Sequence, residues 1–195
     1  MTDAPASHAL FGTARTVVRR LAVADAAAMH AVYGDAEAMR YVDDGAPLPL
    51  AECERWIRVT ERNVRERGYG MAAVVARDAP EAPPIGFCGL VHPNGQVEAE
   101  LKYALHRSVW GRGYGREVAA GMLVYGLGPL RLPTVIATVD EEHAASRRIL
   151  EAIGMRVRGV REVGGRGVVT YEAGPPPARV PLTVTEEGPE FGTSR

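Results

Sequence analysis

Cysteine is nearly absent from this 195-residue sequence: Cys53 and Cys88 are the only two, far apart and in no CxxC pair. That excludes a disulfide framework and a cysteine-built zinc site, and it points to a reducing, cytoplasmic setting. His30, His92, His106 and His143 have no ligand spacing with one another or with the cysteines, so no metal is expected. An excess of charge is also missing. With 23 Lys and Arg against 24 Asp and Glu, the net charge is -1, which argues against a domain that binds nucleic acid by broad phosphate neutralisation. No run of 18 apolar residues occurs, and Met1 to Phe11 carries neither a basic nor an apolar stretch, so neither a membrane span nor a signal peptide is expected. No repeat with a period of 20 to 50 residues is visible.

What is present is enough apolar material, 46% of the residues, for one domain with a sizeable core. Residues 1–14 are small, polar and aperiodic and read as a flexible leader. A strand is expected over 15–23, then helices over 25–34, 35–42 and 51–67, the last with Trp56, Ile57, Thr60 and Val64 on one side. Strands follow over 69–77, 85–92 and 97–105, with Asn94-Gly95 as the turn signal before the last. A helix ending near Gly126, a strand over 134–139, a helix over 144–153 and a hairpin over 155–172 complete the domain. From Gly174 to Arg195 the chain is proline-rich and reads as a tail.

The informative stretch is Trp110-Gly111-Arg112-Gly113-Tyr114-Gly115-Arg116-Glu117, placed after a strand and opening a helix. Glycines let the backbone turn tightly and approach a ligand, and a helix N-terminus points unpaired N–H groups and a positive dipole end at an anion. Arg107, Arg112 and Arg116 add positive charge, and no acidic residue occurs between His106 and Arg116. The stretch reads as a pyrophosphate cradle, with a plain glycine-rich turn as the alternative. A Walker A loop is excluded because no lysine follows the glycines. A dinucleotide fingerprint is excluded because Arg116 and Val118 stand where its third glycine belongs.

Trp110, Gly113 and Gly115 resemble motif A of the GNAT superfamily of acyl-CoA-dependent N-acyltransferases, and the element order from about Thr13 to Ala173 is similar to the GNAT fold. The branch it resembles is the RimJ/RimL type of ribosomal-protein-alanine N-acetyltransferase. Arg19-Arg20-Leu21, Gly86-Phe87-Cys88-Gly89-Leu90, Glu100-Leu101-Lys102-Tyr103 and Ala145-Ser146 with Ile149-Leu150-Glu151 and Gly154-Met155 carry that likeness. The resemblance implies an α/β fold with a mixed, mostly antiparallel sheet splayed between its fourth and fifth strands and flanked by helices, over residues 15–173. It also implies acetyl-CoA as co-substrate and an amine as acceptor, a peptide N-terminus or a small molecule. Monomer and homodimer both remain open.

By the same resemblance, the backbone at Leu105 pairs with the pantetheine arm, and Arg112, Gly113, Tyr114, Gly115 and Arg116 hold the pyrophosphate. His143 and Ser146 line the thiol end. Ser146 is the candidate acid for the leaving thiolate, its alternative being a helix-capping hydroxyl; His143 either meets pantetheine or faces water. Glu100 shares one strand face with Glu98 and Lys102, opposite Ala99, Leu101 and Tyr103, and is the candidate base in the cleft. Three functions fit these residues: acetylation of a peptide or amino-acid α-amine, acetylation of a small-molecule amine such as an antibiotic or polyamine, and non-catalytic acyl-CoA sensing.

Overall fold

The computed structural model describes residues 9–42 and 45–174. One eight-stranded sheet runs through it in the order β1-β2-β3-β4-β5-β6-β8-β7. The strands are β1 (Ala9–Gly12), β2 (Thr16–Arg20), β3 (Met71–Ala76), β4 (Gly86–Val91), β5 (Ala99–Leu105), β6 (Val135–Asp140), β7 (Arg156–Val163) and β8 (Arg166–Ala173). Helices α1 (Ala26–Tyr33), α2 (Ala36–Met39) and α3 (Leu50–Arg67) sit between β2 and β3. Helix α4 (Tyr114–Leu127) follows β5, and α5 (Ala144–Ala152) follows β6. All neighbouring strands are antiparallel except β5 and β6, which run parallel. Among the described residues no helix is long and apolar enough to cross a membrane.

Strand alternation divides the core in two. On one face Val18, Cys88, Leu90 and Leu101 pack with Val118, Met122 and Leu123 of α4 and Leu150 of α5. On the other, Ala73 and Phe87 meet Met29 and Val32 of α1 and Cys53 and Ile57 of α3. In α3 the buried residues Cys53, Ile57 and Thr60 recur at helical spacing, so the stripe read from the sequence is the one that packs. Tyr33 belongs to this second core, edge-on to Trp56 with ring centroids 5.4 Å apart. The Asn94-Gly95 turn joins β4 and β5 with positive φ at both residues, 53° and 74°.

Ala9–Gly12 is not part of a flexible leader; it is a strand paired with β2, and Phe11 is fully buried with its ring 5.4 Å from that of Tyr125 in α4. The segment is only four residues long and followed by polar residues, too short for its alternation to stand out. The splay expected between the fourth and fifth strands therefore lies between the fifth and sixth. Past Gly174 the expected tail lies outside the described residues, as do residues 1–8 of the expected leader.

Because Phe11 fills space between β1 and α4, Phe11→Ala should cost about 3–5 kcal/mol in denaturant unfolding. A stability within experimental error of the parent would return β1 to the leader.

Candidate functional site

Strands β5 and β6 pair only at Ala99 with Val135 and at Glu100 with Ile136, then part. The hydrogen bond from the His106 N–H to the Ile85 carbonyl, 2.9 Å, fixes the alternation along β5. Even-numbered residues bond to β4. Past the paired stretch, Tyr103 and Leu105 thus turn their N–H and C=O groups into the opening. The Leu105 carbonyl is taken by the Trp110 indole N–H at 2.7 Å, which leaves the Leu105 N–H as the donor aimed there.

Side chains cross this wedge on both faces. At its root the Glu100 carboxylate, only 2% exposed, accepts from the Thr138 N–H (3.2 Å), the Thr138 hydroxyl and the Gln96 amide (3.2 Å), and pairs with Lys102 Nζ at 2.6 Å. Lys102 also donates to the Thr138 hydroxyl at 3.2 Å. On the opposite face the Tyr103 and Ser146 hydroxyls lie 2.8 Å apart, joining β5 to α5. Burial pushes the Tyr103 phenol up to about 12, against the opposing hydrogen bond with Ser146, so it stays a neutral O–H at any physiological pH. The expectation of a Glu100 carboxylate open to the cleft is not met. The facing was read correctly from the strand, but Gln96, Thr138 and Lys102, which enclose the group, come from a turn, another strand and a neighbour whose ammonium folds back.

The glycine loop behaves differently at its two motif positions. Gly113 caps α4 with φ at 81°, and a Cβ there would face open space except for Arg15 Nη2 at 3.5 Å. Gly115 packs closely instead: a Cβ there would come 3.1 Å from Ile149 Cδ1 of α5. The loop is braced from β2's approach by Arg15, which the sequence reading passed over. Its guanidinium bonds Glu117 (2.7 Å) and the Arg112 carbonyl (2.9 Å) and lies 4.2 Å from the Tyr114 ring centroid, while Arg112 stacks on the same ring at 5.5 Å. Burial alone would raise the Glu117 carboxyl; hydrogen bonds from Thr13 and Arg15 outweigh it and hold the group below its usual range. The Glu117 carboxylate near the cradle thus stays ionised, with its charge balanced by Arg15. Arg116 projects, exposed, from the first turn of α4.

His143 and Ser146 part company. The His143 ring stacks on Tyr41 at 4.6 Å and 17°, and burial lowers its pKa against the pull of Asp140. The stack stands beside a cavity of about 520 Å³ at the wedge's open end, lined by Arg40, Tyr41, Asp140, Glu141, Glu142 and Arg166.

Residues 15–156 match the acetyltransferase (GNAT) domain family. The chain belongs to the GNAT acetyltransferases. The uncharacterized N-acetyltransferase p20 of Bacillus licheniformis is 24% identical over 151 residues, 76% of this chain and 83% of p20. Among solved structures, RimL, a ribosomal L7/L12 alpha-N-protein acetyltransferase in complex with coenzyme A, superposes with a TM-score of 0.71 at 13% identity, covering 86% of this chain and 98% of RimL. The microcin C7 self-immunity acetyltransferase MccE, in complex with acetyl-CoA and AMP, gives 0.67 at 12% identity, covering 83% and 93%. The GNAT fold expected from the sequence is the fold found, with the parallel β5–β6 pair as its opening.

Glu100→Gln replaces one accepting oxygen with an NH2 among groups that all donate, so it should lower unfolding stability by about 1–3 kcal/mol. Full stability combined with a turnover loss of about 10²- to 10⁴-fold would instead restore Glu100 as a free base.

Proposed function

We propose that this GNAT enzyme moves an acetyl group from acetyl-CoA to the α-amine of a peptide or amino acid by direct attack. The observation that carries the reading is the wedge itself: β5 presents unused backbone donors at a gap flanked by the start of α4 and the Tyr103–Ser146 pair. The residues present suit the co-substrate. The first-turn N–H groups of α4, with Arg112 and Arg116 nearby, favour a pyrophosphate, and the open side of Gly113 leaves room for one. The β5 edge offers an extended pantetheine the pairing of a missing strand.

In the transfer, the amine nitrogen bonds to the acetyl carbon, the carbon–sulfur bond breaks, and one proton leaves the amine while one reaches the thiolate. The Leu105 N–H opposes the charge that develops on the thioester oxygen. The Tyr103–Ser146 pair, held neutral, supplies a hydroxyl proton to the sulfur. The Glu100 carboxylate, engaged at the wedge root by Gln96, Thr138 and Lys102, is not free to act as a strong base in the cleft. An α-amine needs little help, because it titrates at about 7.7–8.0 against about 10.4 for a lysine. That contrast favours the α-amine over polyamines, aminoglycosides and lysine side chains. Glu100 is then a positioning residue that fixes where the wedge begins, and His143 supports Tyr41 at the acceptor opening.

Thiol release with acetyl-CoA and short peptides should be seen with free N-termini and vanish when these are blocked, even in lysine-containing peptides. Turnover confined to polyamines or aminoglycosides, or persisting on blocked peptides, would contradict the α-amine reading.

A further inference from the structure

The cavity at the wedge mouth is charged with both signs. Asp140 ends β6, and Glu141 and Glu142 form the turn into α5, so the acidic wall is continuous with the lip of the wedge. Arg40 and Arg166 line the same cavity. Arg40 follows α2, with its guanidinium 5.3 Å from the Tyr41 ring centroid. Arg166 opens β8, and its guanidinium reaches toward the chain after α2, where a Cβ on Gly45 would lie 3.8 Å from Nη2.

Among the described residues, neither arginine has a close carboxylate partner. Arg40 meets Glu37 at 3.8 Å and Arg166 meets Asp140 at 3.9 Å; both are contacts at the edge of an ion pair, by side chains 60% and 49% exposed. Asp140, by contrast, is 11% exposed and already accepts the Glu142 N–H at 2.9 Å. Two planar forks, each built to grip a carboxylate through paired N–H groups, thus face the same cavity with capacity to spare.

The transfer fixes which way an acceptor lies. Its amine must reach the thioester in the wedge, so its ammonium form approaches along the acidic wall, and its far end falls between Arg40 and Arg166. We infer that the acceptor carries a carboxylate beside its amine, as a free amino acid does or a peptide with an acidic residue close to its N-terminus, and that Arg40 and Arg166 select for it. This rests on the acetyl-transfer reading and narrows its substrate class.

The test measures kcat and KM by thiol release for amine pairs that differ only in charge at the far end: amino acids against their amides, Ala-Asp against Ala-Asn peptide amides, and a long ω-amino acid against its amide. Carboxylate members should exceed their amide partners in kcat/KM by about tenfold or more, the worth of a charge-assisted hydrogen bond. In Arg40→Gln/Arg166→Gln the preference should collapse through a raised KM for the carboxylate members. Equal rates for acid and amide in the parent enzyme overturn the inference. So does a preference that survives in the double variant, or turnover that spares every carboxylate-bearing amine. The ω-amino acid separates the two claims: if it outruns the α-amines yet still beats its own amide, the α-amine reading fails while the carboxylate site stands. The two peptide forms distinguish a free amino acid from an acidic N-terminus as its source.

Discussion

Strands β5 and β6 pair at two residues and then part, and the rest of the site depends on that incomplete pairing. A parallel pair that stayed zipped would use up the N–H groups of Tyr103 and Leu105 and leave no slot for an extended ligand. Unpaired backbone inside a sheet is costly unless something else meets its demands. Trp110 satisfies the Leu105 carbonyl, while Thr138 and Lys102 engage the Glu100 carboxylate where the strands diverge. Tyr103 and Ser146 link the two sides further up on the opposite face. The opening is therefore a held geometry, with side chains fixing its root and one wall.

A second set of contacts ties the anion-binding end of the wedge to the first two strands. Arg15 reaches Glu117, the Arg112 carbonyl and the Tyr114 ring, so the loop that starts α4 is shaped partly from the other end of the chain. The same contacts cancel the Glu117 charge beside the helix N-terminus, leaving the local field positive. Burial of Phe11 under Tyr125 holds β1 against α4 and carries the support one strand further.

Much of the fold was legible because its periodicities are strong. The α3 stripe, the Asn94-Gly95 turn and the alternation of β5 all appear where the sequence puts them. β1 was not, since four residues ending in glycine give alternation too little length. At the site, the glycine loop and the facing of Glu100 and Tyr103 were readable from local pattern, but their partners were not. Glu100 is met by Gln96 and Thr138, Tyr103 by Ser146, and His143 by Tyr41, across separations that only the sheet order brings together. Gly115 shows the limit in the other direction: its place in the motif suggests phosphate approach, whereas the structure gives it close packing against Ile149.

The central claim is that the β5 edge opposite β6 receives the extended arm of acetyl-CoA. Residue-resolved amide hydrogen exchange tests it directly. Without ligand, the Tyr103 and Leu105 amides should exchange faster than those of Lys102 and Ala104, which bond to β4. Saturating acetyl-CoA should slow Tyr103 and Leu105 selectively. Protection that appears elsewhere while these two amides remain unchanged would contradict the account.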